Sequence, residues 1–211
     1  MDSILLPPPR VLKIIDLLPT EFSTLELGLG KTGLFERLNT TVHPGGTFFA
    51  PSNFAFQKLG PRINAFLFSE HGLKYLKALL EYHVVPANTL YSDAFYRAEG
   101  QDNDVGKALN GVPKGVYHVD LPTMLKDRSL GVDIARFGRL IEIKINGFAR
   151  VAYSDAVAYD GVLHGLGDVI IPPKKLANGQ MEQWDGAELT EEDLIERLEP
   201  LVKQTSYWAD L

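Results

Sequence analysis

The chain has 211 residues, of which 45% are hydrophobic and 23% charged, proportions typical of a folded protein rather than a disordered one. Its formal net charge is -6, and its lysines and arginines are scattered, so we expect no nucleic-acid partner. Cysteine is absent, which excludes disulfides, thiolate catalysis and cysteine metal sites. No apolar run approaches the ~20 residues that span a bilayer, and no leader pattern opens the sequence, so we expect any signal or anchor to lie outside it.

Two stretches in the first half have helical spacing. Residues 20–40 carry apolar stripes interrupted at Gly28 and Gly30, which predicts two short core helices with a break at these glycines. In residues 72–84 the apolar positions recur every three or four residues, which predicts one amphipathic helix. His83 falls on the same stripe, so we expect it to be buried and hydrogen-bonded.

Between these stretches the pattern changes to strand, turn and helix. Residues 47–50 are apolar and aromatic enough for a buried strand, and Pro51 ends it. Ser52 then offers an N-cap for a helix that carries Phe56 and Leu59.

The second half has the two-residue period of strands. Residues 141–145 alternate apolar and charged side chains, and Asn146-Gly147 predicts a tight hairpin turn before a strand over residues 148–158. Asp160-Gly161 marks a further turn, and residues 169–171, closed by two prolines, predict a short final strand. Helices in the first half and strands in the second predict an α+β domain.

The two ends have distinct characters. Residues 1–9 contain an apolar trio closed by a proline pair, as residues 169–173 do, so we interpret them as a remnant of a preceding copy of the same domain or a linker. Residues 10–173 then form the main domain. Residues 174–211 are predicted to be a C-terminal extension with one amphipathic helix, whose apolar stripe includes Leu194, Leu198 and Leu201.

Three segments together resemble the fasciclin (FAS1) family. Residues 47–56, Thr-Phe-Phe-Ala-Pro-Ser-Asn-Phe-Ala-Phe, are similar to its first sequence box, Tyr82-His83 to its central motif, and residues 160–173 to its second box. The positions that carry the resemblance are Thr47, Phe49, Pro51, Asn53, Phe56, Tyr82, His83, Gly161, His164 and Pro172. The resemblance covers residues 10–173 and implies the FAS1 fold, a wedge-like seven-stranded β-sandwich flanked by several α-helices. Where the family has an apolar strand centre, this chain has Gly165 and Gly167, which favours a β-bulge there.

The resemblance also implies a function and a location. Members of the family are extracellular, cell-surface or vacuolar proteins of adhesion, and the fungal ones often carry tandem copies. We therefore expect a non-catalytic adhesion and binding module of a fungal-type tandem protein in the secretory pathway. Its expected partners are a protein or a cell-wall or matrix glycan, together with a neighbouring FAS1 domain.

An alternative from another class stays open. Some fungal members act beside multicopper oxidases in aromatic pigment biosynthesis, so the chain could be an auxiliary that holds phenolic intermediates. The aromatic residues available for such a groove are Tyr91, Phe95, Tyr96 and Tyr117, although aromatic residues more often fill a core.

Catalytic, cofactor and metal sites are not predicted. Residues 28–32 resemble part of a phosphate-binding loop, but Leu25 occupies the position of its first glycine. The acidic residues 99–104 lack the glycine and distal glutamate of an EF-hand and are interpreted as a solvated loop. The five histidines show no metal-ligand spacing, and His83 and His164 are interpreted as structural.

Two surface residues are candidates for function. Asn39, in the sequence Asn-Thr-Thr, is an N-glycosylation acceptor in a predicted loop before the first strand. Asp155 lies where some animal relatives carry an integrin-binding pentapeptide. It is either an exposed contact carboxylate or a strand-end residue, and we favour the second interpretation.

Overall fold

A computed structural model describes most of the chain, with helices gathered in the first half and strands in the second. The described residues are 7–40, 45–86, 88–92, 115–137, 140–176 and 178–206. The helices are α1 Val11–Leu17, α2 Pro19–Lys31, α3 Leu34–Thr40, α4 Asn53–Lys58, α5 Gly60–Leu67, α6 Leu73–Tyr82 and α7 Glu191–Ser206. The strands are β1 Gly46–Pro51, β2 Val84–Pro86, β3 Gly115–Pro122, β4 Ser129–Phe137, β5 Leu140–Ile145, β6 Ala149–Ala158, β7 Gly161–Leu166, β8 Lys174–Lys175 and β9 Met181–Glu182.

The first seven strands form one sheet in the order β2-β1-β7-β6-β5-β4-β3. Among the described pairs of this sheet only β1 with β7 is parallel, and the strand at the middle of the order is β6. Strands β5 and β6 pair through Lys144 with Arg150 and Ile145 with Ala149, so the two halves of the sheet are joined only beside their hairpin turn. Seven strands with flanking helices confirm the α+β fold that the resemblance implied.

A single core joins the helices to both halves of the sheet. Helices α2 and α6 contribute buried leucines and a phenylalanine, β4 and β5 contribute branched side chains, and residues 169–171 add three more. Because both halves of the sheet bury side chains in this one core, residues far apart in sequence hold each other in place.

Helix α2 corrects the prediction of a break at Gly28 and Gly30. The helix continues through both glycines and ends before Gly33, whose φ of 71° suits the left-handed conformation that stops a helix. Gly28 serves packing instead, because a Cβ there would lie 3.3 Å from a methyl of Leu80 and 3.6 Å from one of Leu76, both on α6. The missing side chain lets the two helices approach closely.

Two further boundaries differ from the sequence prediction. Helix α6 ends at Tyr82, and the next residues leave it to form β2, in which Val85 pairs with Thr47 of β1. Residues 169–171 are buried but form no strand, because β7, which pairs with both β1 and β6, has already completed that part of the sheet.

The predicted hairpin is confirmed, but the bulge lies on the other strand. Asn146 and Gly147 both have positive φ, 52° and 78°, as a type I′ turn requires. The register shifts of the β6–β7 pair lie on either side of Tyr153 in β6. Gly165 in β7 makes room for that ring, since a Cβ there would come within 1.9 Å of it.

The C-terminal helix packs on the domain. The Thr190 hydroxyl accepts a hydrogen bond from the Asp193 amide at 3.2 Å and caps α7. Buried Leu194, Leu198 and Leu201 face α5 and α6 and belong to the common core. The division of the chain at residues 9 and 173 stays a prediction, and residues 1–6 lie outside the described part. Among the described helices none is both long and apolar enough to cross a bilayer.

A pair of glycine substitutions tests where α2 ends. Gly30→Ala should raise the free energy of unfolding by about 0.5 kcal/mol, because the position is helical and nothing lies within 4 Å of the added methyl. Gly33→Ala should lower it by about 1–2 kcal/mol, because alanine disfavours positive φ. Urea unfolding of both variants measures the difference. If Gly30→Ala lowered the free energy of unfolding, the result would contradict a continuous α2 and support the helix break predicted at Gly28 and Gly30.

Candidate functional site

The first box ties two neighbouring segments to β1 and α4. The buried Thr47 hydroxyl donates to the Asn88 carbonyl at 2.7 Å and accepts from the Leu90 amide at 2.8 Å. The Ser52 hydroxyl caps α4 by accepting from the Ala55 amide at 3.2 Å, as predicted. These two residues satisfy backbone groups that no strand partner reaches.

Asn53 joins α4 to the start of α2. Its side-chain oxygen accepts from the Thr24 amide at 2.8 Å, and its nitrogen donates to the Thr20 carbonyl at 3.0 Å. Phe49 and Phe56, the aromatic members of the box, are buried, as is Pro51. The box therefore works as a joint between sheet and helices.

His83 has both ring nitrogens occupied. It is fully buried, its Nδ1–H donates to the Leu79 carbonyl at 2.8 Å, and its Nε2 accepts from the Ile170 amide at 3.0 Å. The prediction that His83 is buried and hydrogen-bonded is confirmed. Burial lowers the pKa of His83 to about 4, because the charged imidazolium would lose its hydration.

His164 is the counterpart of His83 on β7, with the opposite tautomer. Its Nε2–H donates to the Leu90 carbonyl at 2.7 Å, its Nδ1 accepts from the Asp155 amide at 3.3 Å, and its ring stacks on Phe49 with centroids 5.5 Å apart. Burial lowers the pKa of His164 as well. Both histidines are thus neutral hydrogen-bonding groups that bind backbone.

Tyr82 links α6 to the hairpin turn. Its hydroxyl donates to the Ser129 carbonyl at 3.1 Å and accepts from the side-chain Nδ2 of Asn146 at 3.0 Å, and burial raises the pKa of Tyr82 to about 12. Gly161, with φ of 153°, passes so close to Gly46 that a Cβ would lie 2.3 Å from its carbonyl oxygen. Pro172, which also carries the family resemblance in the second box, is buried.

Asp155 is half-buried and engaged within the domain. Its Oδ1 accepts from the Ser92 amide at 2.8 Å, and its Oδ2 accepts from the Ser92 hydroxyl. Asp155 has φ of 63°, next to the register shift in β6. The neighbouring Tyr153 and Val157 are exposed large hydrophobic side chains of this stretch.

Asn39 is exposed, but it lies in the last turn of α3 rather than in a loop. Its backbone carbonyl oxygen accepts a hydrogen bond from the Arg10 guanidinium at 2.6 Å, and this contact does not involve the Asn39 side chain. Thr41, the third residue of the acceptor sequence, lies outside the described residues.

The other sequence candidates are dispersed. Tyr91 and Tyr117 are half-buried, whereas Phe95, Tyr96 and residues 99–104 lie outside the described residues. Within the described ranges no group of three histidine, aspartate or glutamate side chains is arranged to hold a metal ion.

Sequence reasoning missed a cleft of about 670 Å³. It lies between the turn from α4 to α5 and residues 184–192, which lead into α7. Leu59, Ile63 and Val169 are apolar residues of its lining, and Trp184 belongs to the opposite wall. The only signal in the sequence was a tryptophan in an otherwise polar stretch.

Comparison with known proteins identifies the family. The family model of the fasciclin domain matches residues 20–172, well over half of the chain. The chain belongs to the fasciclin domain family. Fasciclin domains are a non-enzymatic family.

A curated relative and a solved structure extend this fasciclin match. The chain is 35% identical over 167 residues to aurofusarin biosynthesis cluster protein S of Gibberella zeae, covering 74% of this chain and 40% of that protein. It also resembles the structure of a FAS1 domain pair from the insect cell adhesion molecule Fasciclin I, with a TM-score of 0.56 and 20% identity over 78% of this chain and 51% of that one. The chain thus spans well under two thirds of either protein, and one fasciclin domain is recognised in it.

The buried histidines predict a pH-dependent stability. The pKa of His83 is about 4 in the folded domain against an ordinary value of 6.5, so the unfolded chain binds more protons between these values. The free energy of unfolding should therefore fall as the pH drops from 6.5 to 4, by at most about 3 kcal/mol from this residue.

Urea unfolding at pH 7 and pH 4 measures this loss. His83→Gln should be less stable at pH 7 and should show a smaller difference between the two pH values. His71→Gln, at an exposed histidine, is the matched control and should behave as the unmodified chain does. An unchanged pH dependence in His83→Gln would contradict the assignment.

Proposed function

We propose that this fasciclin-domain chain is a non-catalytic adhesion and binding module of a multi-FAS1 protein. The proposed location is the secretory pathway, that is, the extracellular space, the cell surface or the vacuole. Its proposed partner is a protein or a glycan of the cell wall or matrix, reached through surface rather than through a catalytic pocket.

One observation supports this proposal: the polar side chains of the fasciclin boxes form hydrogen bonds with backbone groups of the domain itself. Thr47, His83 and His164 are buried, and each holds a segment that has no strand partner. A general base must reach the proton that it removes, and both ring nitrogens of each histidine already have partners. The proposed binding function would therefore be carried by exposed residues.

The exposed Asn39 gives the location a direct check. Passage through the secretory pathway would bring this asparagine to the glycosylation machinery, and the side chain is accessible at the end of α3.

A surface-binding assay tests the adhesion module. The labelled full chain is incubated with fungal cell walls and with animal matrix preparations, and a glycan array is probed in parallel. We expect saturable binding to at least one surface, and none by the urea-unfolded chain. Equal retention of folded and unfolded protein, or no binding on any surface, would contradict the proposal.

A second function is favoured by the 35% identical relative, which is named for a biosynthesis cluster. In this alternative the chain is an auxiliary that acts beside a multicopper oxidase in aromatic pigment biosynthesis. The oxidase would remove electrons from phenols, and the auxiliary would hold the phenolic intermediates while they couple.

A reconstitution distinguishes this alternative. A fungal multicopper oxidase is given a naphthalenediol with and without an equimolar amount of the chain, and the coupled products are resolved by chromatography. An auxiliary should change the ratio of isomers, because a held intermediate presents one face to its partner. An unchanged product ratio, equal to that with heat-unfolded chain, would count against it.

A further inference from the structure

The geometry points to a binding site for an uncharged, hydroxyl-bearing ring compound in the cleft between residues 58–63 and residues 184–192. This inference rests on the proposed binding function, because it names a ligand class and a place for it. The cleft volume of about 670 Å³ lies in the range of small-molecule sites.

The cleft offers an apolar surface to a ring. Leu59, Ile63 and Val169 line it, and each is less than one tenth exposed. These side chains belong to the domain core, so the surface that they present is fixed by packing. A flat ring with C–H groups on its face can replace water there.

Trp184 supplies an unused hydrogen-bond donor. Its indole nitrogen is buried and has no hydrogen-bond partner among the described residues. The ring itself is held in place by an edge contact with Phe148, with centroids 4.9 Å apart. The N–H has almost no accessible surface in this structure, so a ligand oxygen in the cleft would reach it through a small turn of the half-buried ring. Buried indole N–H groups normally have an acceptor, and the ligand oxygen would then provide one.

The charges around the cleft disfavour an anion. Lys58 is paired with Asp168 at 2.6 Å, which leaves Arg62 as the cation of the lining that is in no ion pair in the described part of the chain. Three carboxylates of the opposite wall, Glu188, Glu191 and Glu192, are likewise in no ion pair there. Hydroxyl groups suit this mixture, because they donate to carboxylates and accept from guanidinium and indole N–H.

The wall that carries Trp184 lies outside the match to the fasciclin family. The match to the fasciclin family ends at residue 172, and residues 184–192 lie beyond it. Helix α7 follows directly, with its Thr190 cap and its buried Leu194 and Leu198, so the wall is anchored to the core. The site is thus added to the fasciclin domain by the C-terminal segment.

Two sources share the ligand chemistry, the sugar ring at the end of a neutral glycan and a polyhydroxylated aromatic ring. The first belongs with the adhesion module and the second with the biosynthetic auxiliary. Isothermal titration of the full chain separates them, with cellotriose, laminaritriose, chitotriose and mannotriose in one arm and a naphthalenediol in the other.

We expect saturable binding in one arm. Trp184→Phe keeps an aromatic ring and removes the N–H, and should weaken binding about tenfold, as loss of one buried hydrogen bond does. Ala187→Trp should abolish binding by filling the cleft. Glu188→Gln tests the carboxylate wall against Glu70→Gln, an exposed position outside the cleft with the same change in charge.

Thermal unfolding checks that each variant is folded. No saturation by any probe up to about 5 mM would overturn the site, and so would equal affinities for the unmodified chain, Trp184→Phe and Ala187→Trp. If folded Ala187→Trp still adheres to surfaces and the unmodified chain binds no probe, the ligand site in the cleft is overturned and the adhesion function stands. If probe binding depends on Trp184 and the chain adheres to no surface, the adhesion function is overturned and the ligand site in the cleft stands.

Discussion

The domain depends on buried imidazoles that bind backbone where the sheet provides no partner. Residues 169–171 are buried outside any strand, so the Ile170 amide would be orphaned without the Nε2 of His83. His83 is in turn fixed by the Leu79 carbonyl in the last turn of α6. One ring thus connects a helix end to an irregular segment, and the low pKa of His83 reflects the same burial that makes this link strong.

The same solution recurs on the neighbouring strands β1 and β7 and explains the composition of the fasciclin boxes. Thr47 and His164 hold the segment around Leu90, which runs beside β1 without pairing to it. Tyr82 and Asn146 connect α6 to the β5–β6 turn. A polar side chain in each box therefore replaces a missing ladder hydrogen bond, and the family resemblance reports on how the interior is assembled rather than on what the surface binds.

The features that were predictable from sequence are those set by local chemistry. The Asn146-Gly147 turn, the Ser52 cap and the strand at residues 141–145 each follow from neighbouring residues and were found. The path of α2 through Gly28 was missed, because a glycine at a close helix contact looks the same in sequence as one that ends a helix. The cleft was missed for a similar reason, since residues 184–192 lie beside the α4–α5 turn through the long-range packing of α7 on α6 and α5, which no local sequence pattern reveals.

The proposed cleft site and the proposed adhesion surface would make different demands on the same molecule. A stable protein interface buries roughly 800 Å² on each partner, whereas the end of a polymer or a single ring fits in a cleft of this size. In our proposal a cleft formed jointly by core residues such as Val169 and by Trp184 would recognise one unit of a ligand, whereas the exposed side chains of Tyr153 and Val157 would be available for a broader contact. Weak recognition of one ring becomes strong when many rings are presented on a wall and several domains stand in one chain, because each further contact forms at high effective concentration. A module built in this way needs no tight single site to adhere.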